Sequence, residues 1–221
     1  MYEDRLKYWM ALKSIPGIGN VIFSSLVERF GSPEAVFSAS VAALCSVCDV
    51  NKTIAGSVVS FQDWDSIMRQ IEAMDKSGIK IITFQDELYP ANLLNIFDRP
   101  VFLYVKGTLS REDIPLAVVG SRRASTYGKY TTERMSRELA LQGVTIVSGM
   151  ARGIDTCAHR GALSVSGRTI AVLGCGLDVI YPPENKILYS AIPQNGAVIS
   201  EFPPGTEPLP FNFPARNRII S

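Results

Sequence analysis

The sequence predicts an α/β domain, a parallel β-sheet covered by helices, preceded by a small all-helical domain. Three observations carry this. Short β-rich runs alternate with helix-length segments from Ile79 onward. Before about residue 60 only helical periodicity is present. Between them in importance stands the stretch Pro115–Gly153, PLAVVGSRRASTYGKYTTERMSRELALQGVTIVSGMARG, which reads as strand, helix and strand. Each of its strands delivers glycine and arginine at its C-terminal end, where ligands bind in open α/β sheets.

In chain order, Leu6, Trp9 and Met10 mark a first helix, and Phe23, Leu26, Val27 and Phe30 a second. Ser14-Ile15-Pro16-Gly17-Ile18-Gly19 between them has the form of a helix-hairpin-helix turn, in which Gly17 and Gly19 close the bend. Such a turn is either a second phosphate site, with Lys13 as its neutralising charge, or a compact helix connection. Ser32 before Pro33 reads as an N-cap, and Ser40 as another. Trp64, Ile67, Met68 and Ile71 give a further helix stopped by Gly78. The domain change is placed between Asn51 and Gln62, giving a helical domain over 1–60 and a sheet domain over 61–221. Strands are expected at 79–84, 101–105, 116–119, 144–148, 169–173 and 197–200, and helices near 126–142, 155–165 and 184–191. The Pro-rich run from Phe202 to Pro214 is neither helix nor inner strand and is expected to cross the C-terminal edge of the sheet. A helix starting after Pro214 would hold Arg216 and Arg218 in its first turn. There they oppose the helix dipole by roughly 0.3–1 kcal/mol each unless an anion is present.

Glycine turns that open helices and carry arginine suit phosphate. No G-x-G-x-x-G follows the first strand, since Gly120-Ser121-Arg122-Arg123 has no second glycine until Gly128, and Gly174-Cys175-Gly176 lacks the third. No P-loop is present either. Arginines where a pyrophosphate would press on bare backbone favour a polynucleotide. Tyr127, Tyr181, Phe211 and Phe213 stand near the turns and are either base-stacking groups or core.

With 47% apolar and 19% charged residues, the composition is that of a soluble globular protein. No membrane-spanning run or signal-peptide layout appears, so the expected location is cytoplasmic. The net charge of +1 hides a local excess: Arg122, Arg123, Lys129, Arg134 and Arg137 face only Glu133 and Glu138 between residues 122 and 138. This is either an electrostatic footprint near the crevice or, for Lys129, Arg134 and Arg137, an ordinary solvated helix face. Cys45-x-x-Cys48 has no matching second pair and reads as buried small hydrophobes in a helical stretch, so no metal or cofactor is expected. His159, four residues after Asp155, is expected to bond that carboxylate rather than act in catalysis.

These motifs resemble the DprA family (also called Smf), bacterial DNA-processing proteins of natural transformation. The resemblance rests on Gly120-Ser121-Arg122, on Ser148-Gly149-Met150-Ala151-Arg152-Gly153-Ile154-Asp155, and on Ala158-His159 with Ala162-Leu163. It continues through Thr169 to Gly174, Gly176-Leu177-Asp178, Tyr181-Pro182 and Ser200-Glu201, and closes on Phe213-Pro214-Ala215-Arg216-Asn217-Arg218-Ile219-Ile220. It implies a Rossmann-like domain, with a SAM-like or helix-hairpin-helix-like N-terminal domain, that binds single-stranded DNA and helps load the recombinase RecA, without enzymatic activity. The implied phosphate-binding residues are Gly120, Ser121, Arg122 and Arg123, then Gly149, Ala151, Arg152 and Gly153, then Arg216, Asn217 and Arg218. The family often has lysine where Arg152 stands. Its fold continues past Ile220, so this chain is expected to be a truncated form whose dimerisation and partner docking do not carry over directly.

Two rivals remain. Related Rossmann-like phosphoribohydrolases use a glycine-rich turn with catalytic Arg and Glu, but their P-G-G-x-G-T turn is absent, and Asp155 and Glu201 are the only acids placed near the crevice. Alternatively, the helix-hairpin-helix turn binds duplex DNA and the sheet domain is scaffold.

Overall fold

The computed structural model describes residues 2–221, with side chains from Arg5 onward. Its contacts divide into two units, Met1–Ser77 with Leu94–Val101, and Gly78–Leu93 with Phe102–Ser221.

The first unit holds α1 (Tyr2–Ser14), α2 (Asn20–Phe30), α3 (Pro33–Phe37), α4 (Val41–Leu44), α5 (Lys52–Val59) and α6 (Trp64–Lys76). Their boundaries follow local chemistry. The Ser32 and Ser40 hydroxyls accept the N–H of Ala35 and Ala43, as expected, and Asn51 caps α5 through Ile54. Ser77 and then Gly78, at φ 66°, end α6. Trp9, Leu12, Phe23 and Leu26 are fully buried. Trp64 sets its ring 4.9 Å from Phe61, 5.0 Å from Phe37 and 5.4 Å from Tyr8, edge to face. Those contacts draw α6 into the helical unit, so the change of unit falls after Ser77 rather than at residue 60. Cys45 lies just past the end of α4 and is half-buried, and Cys48 is exposed; neither is the buried hydrophobe expected.

The second unit carries β1 (Ile79–Thr83), β2 (Phe102–Gly107), β3 (Ile114–Ala117), α7 (Thr126–Leu141), β4 (Val144–Ser148), α8 (Ile154–Leu163), β5 (Thr169–Leu173), α9 (Lys186–Ala191), β6 (Gly196–Ser200) and α10 (Asn212–Ile220). One six-stranded sheet runs in the order β1-β2-β6-β5-β4-β3. β3 to β6 are parallel, while β1 and β2 add antiparallel at the β6 edge, which makes the α/β sheet mixed. A parallel neighbour needs a long crossover, usually a helix, and no α-helix separates β1 from β2. From β3 to β6 each crossover steps one place in the same direction, so right-handed connections gather α7, α8 and α9 on one face. α7 and α8 approach so closely that a Cβ on Gly161 would lie 2.2 Å from the Glu133 carbonyl oxygen.

Residues 108–113 carry the chain from β2 to β3 at the N-terminal edge of the parallel strands. Asp113 locks this link: Arg168 donates to it at 2.5 and 2.9 Å and the Thr145 hydroxyl at 2.8 Å. Burial opposes its ionisation, but those hydrogen bonds outweigh burial and hold the carboxyl below its ordinary value. With that edge closed, the glycine turns stand at the opposite, C-terminal edge. β5 and β6 are buried throughout, whereas β3 is an exposed edge strand.

Candidate nucleic-acid interface

Two turns build the floor of the site, one after β3 and one after β4. They lie backbone to backbone. Gly153 has φ 80° and ψ −121°, a region open to glycine alone, and a Cβ there would meet the Ser121 carbonyl oxygen at 2.2 Å. That carbonyl accepts the Ile154 N–H at 3.2 Å. Ser148 ties the strands beneath, donating its hydroxyl to the Val118 carbonyl at 2.7 Å.

In the first turn the Ser121 hydroxyl accepts the Arg123 N–H at 3.0 Å, and Ser125 caps α7 through Gly128 at 3.1 Å. Among the described residues, none accepts the backbone N–H of Gly120, Ser121 or Arg122. Arg122 and Arg123 are exposed beside them. The Arg122 guanidinium lies 5.4 Å from the centre of the Phe213 ring.

The second turn is differently occupied. The buried Asp155 carboxylate, one residue into α8, accepts the N–H of Gly149 at 3.1 Å and of Ala151 at 3.3 Å. Those two amides, expected to meet phosphate, are therefore already satisfied. Burial pushes the Asp155 carboxyl above its ordinary value against the pull of the Ala151 amide, Arg216 and the Gly149 amide. Asn185, which no motif singled out, donates to the Met150 carbonyl at 2.8 Å and the Thr156 hydroxyl at 2.9 Å. Arg152 points outward and bonds Glu184 at 2.6 Å, both side chains being more than half exposed. The Arg152 bond holds the Glu184 carboxyl below its usual range.

The Pro-rich segment meets the C-terminal edge as expected. The Thr206 carbonyl accepts the Gly176 N–H at 2.9 Å, Asp178 accepts the Gly205 N–H at 2.8 and 2.9 Å, and Phe213 packs against Gly174. The helix after it corrects the sequence expectation. α10 starts at Asn212, with Pro214 inside its first turn, where a missing N–H costs nothing. Arg216 thus falls in mid-helix and Arg218 in the last turn, where the dipole favours cations.

Their side chains take different roles. Arg216 is only 4% exposed and donates from Nη1 to the carbonyls of Gly149, at 2.9 Å, and Val172. Gly149 leaves room for it, since a Cβ would lie 2.6 Å from the guanidinium. Arg218 makes a two-pronged bond to Glu201, 2.7 Å to each oxygen. Asn217 is exposed and its side-chain oxygen accepts Arg216 Nε at 3.3 Å. A cavity of about 280 Å³ opens between Gly120, Arg122, Ala151, Asp155, Arg216 and Asn217. A smaller one, about 30 Å³, lies between Arg122, Arg152, Tyr181 and Phe213, whose two rings are 5.6 Å apart.

His159 does not meet Asp155. Its Nδ1 pairs with the Thr169 hydroxyl at 2.7 Å, and that hydroxyl donates to the Ile146 carbonyl at 2.7 Å, which assigns the ring proton to Nδ1. Complete burial lowers the imidazole pKa to about 3. In the helical unit, Lys13 donates to Asn20 at 2.8 Å, and Ile15 to Ile18 form a tight turn closed at 3.0 Å with Gly17 at φ 90°. Gly19 has neither a positive φ nor a close neighbour.

Residues 80–221 match the family described as DNA recombination-mediator protein A. The chain belongs to that family. It is 37% identical over 226 residues to Protein Smf of Synechocystis, covering the whole chain and 57% of the relative, and 50% identical over 137 residues to the DNA processing protein DprA of Streptococcus pneumoniae, covering 62% of the chain and 48% of the relative. The chain thus spans about half the length of these curated relatives. The X-ray structure of the Streptococcus pneumoniae DprA superposes with TM-score 0.81 and 34% identity, over 97% of this chain and 74% of that one. DNA processing protein A from Helicobacter pylori, whose structure is described for its single-stranded DNA binding mode, matches with TM-score 0.57 and 35% identity over 65% of this chain and 66% of that one. Among the described residues, no helix is long and apolar enough to cross a membrane, and no group of His, Cys, Asp and Glu is arranged to hold a metal.

Proposed function

We propose that this protein binds single-stranded DNA at the C-terminal edge of its sheet. The phosphates lie on the Gly120–Arg123 turn and the bases against Phe213 and the exposed Phe211. The observation that carries this reading is the turn itself: three backbone N–H groups with no acceptor among the described residues, two exposed arginines, and an aromatic ring beneath one of them. Family membership and the Helicobacter pylori relative support it.

Within this reading the site residues divide. Gly120, Ser121, Arg122 and Arg123 contact phosphate directly. Arg152 already holds Glu184 in an exposed pair and engages DNA by exchanging that carboxylate for phosphate, whereas Arg218 stays paired with Glu201 beside the path. Gly149, Ala151, Gly153 and Arg216 shape the floor, with Asn217 at its rim. The protein acts by binding and turns over no substrate. Asp155 and Glu201, the acids a hydrolase would need here, are taken up by backbone amides and Arg218. Loading of RecA and assembly as a homodimer complete the proposal and rest on family resemblance; a cytoplasmic setting rests on the sequence, which shows no membrane-spanning run or signal-peptide layout. The helix-hairpin-helix turn is assigned a connecting role, since Gly19 adopts no conformation that needs glycine and Lys13 donates to the neighbouring Asn20.

The test is fluorescence anisotropy with a labelled single strand and the matching duplex at the same salt. Tighter binding of the single strand, with little dependence on sequence, is expected. Equal or tighter duplex binding contradicts the reading, and turnover of a nucleotide abolished by Glu201→Gln contradicts the assignment as a non-enzyme.

A further inference from the structure

We propose that the outer face of α7 continues the single-strand path beyond the crevice, stacking bases on Tyr127 and Tyr130 and holding phosphates along Arg134 and Arg137. This rests on the reading of the crevice above. At 3.6 residues per turn, positions 127, 130, 134 and 137 share one face of α7. The buried residues of the helix, Thr132, Ser136 and Ala140, lie on the opposite side. The outer face of a surface helix is ordinarily polar, yet Tyr127 is 79% and Tyr130 65% exposed, so neither ring serves the core.

Charge selects the occupant. Arg123 just before α7, then Arg134 and Arg137 on the tyrosine face, with Lys129 on another side of the helix, stand against Glu133 and Glu138. Glu138 is engaged by Arg134 at 3.6 Å in a pair that is more than half exposed on both sides, so a phosphate can replace it. Positive charge interleaved with aromatic rings suits a polyanion with flat bases. Tyr127 and Tyr130 are about 4.5 Å apart along the helix axis, a spacing that neighbouring nucleotides can follow. The stripe also begins where the crevice ends: α7 opens at Thr126, just past the Gly120–Arg123 turn, with the positive end of its dipole toward that turn.

The experiment uses two labelled homothymidine strands, one on the order of 5 nucleotides and one on the order of 15, within the range that single-strand sites occupy. The variant is Tyr130→Ala/Arg137→Ala, and the conservative control is Tyr130→Phe/Arg137→Lys. The alanine pair is expected to weaken the long strand roughly tenfold or more and to lower its salt slope by about 0.7. Short-strand binding is expected to stay unchanged, and the control to restore long-strand affinity. Arg122→Ala is expected to weaken both strands. If the alanine pair leaves long-strand affinity intact while Arg122→Ala weakens both, the α7 path is wrong and the crevice reading stands. If the parent protein binds neither strand, the crevice reading fails and takes this one with it. A parent protein that self-associates through this face, becoming monomeric in the alanine pair with unchanged DNA affinity, would make the stripe an interface between copies and overturn the proposal.

Discussion

Arg122 and Arg216 show how differently one residue type behaves around a single cavity. Arg122 lies exposed over Phe213, whereas Arg216 is buried and spends its donors on the Gly149 and Val172 carbonyls. Arg216→Ala removes a buried charge that balances Asp155 and takes the guanidinium donor from both carbonyls. A loss of about 3–5 kcal/mol is expected, read by urea denaturation. Arg122→Ala is expected to change stability by less than about 0.5 kcal/mol. Glu184→Gln frees Arg152 and removes a negative charge from the rim, so single-strand affinity is expected to rise roughly two- to fivefold at low salt; unchanged or weaker binding would place Arg152 outside the DNA path. His159 supplies a pH dependence. Its pKa falls from 6.5 to about 3 on folding, so the unfolded chain binds the extra proton first as pH drops. The stabilisation is complete above pH 6.5 and is lost progressively from there toward pH 3. His159→Gln is expected to flatten that part of a plot of melting temperature against pH, and an unchanged acid limb would contradict it.

At the scale of elements, the two turns work as a pair because Gly153 lets the Ser121 carbonyl come against it. Gly153→Ala strains a glycine-only backbone and pushes the turns apart, at a cost of about 1–3 kcal/mol. A matching drop in thermal stability, with weakened DNA binding at temperatures where the variant is still folded, is the expected result. The strands were legible in the sequence because β-branched runs bounded by glycine and proline have few other readings; β4 and β5 fall where expected, and β3 starts and ends two residues earlier. Caps at Ser32, Ser40 and Gly78 were legible for the same local reason. The start of α10 was not: a proline at its third position looks like a boundary, although the first turn tolerates it. That misplacement hid the burial of Arg216, because sequence shows which residues are basic and not which carbonyls they reach. The amide-binding role of Asp155 was hidden likewise, since it depends on how the 149–153 turn curls back over α8.

Across the whole molecule, the sheet explains why the site is where it is. Parallel strands β3 to β5 present their C-terminal ends together, the Asp113–Arg168 clasp closes the other edge, and the Pro-rich segment brings Phe213 and α10 to the open one. The helical unit has its own aromatic cluster around Trp64, and its Lys13 serves as the internal comparison. The most direct test of the central claim is a salt titration of single-stranded DNA binding for the parent protein, Arg122→Ala and Lys13→Ala, each checked by thermal melt. The account predicts that Arg122→Ala weakens binding to all sequences alike and lowers the salt slope by about 0.7, while Lys13→Ala leaves both affinity and slope unchanged. A folded Lys13→Ala protein that loses more affinity than Arg122→Ala would move the phosphate site to the helical unit and contradict the account.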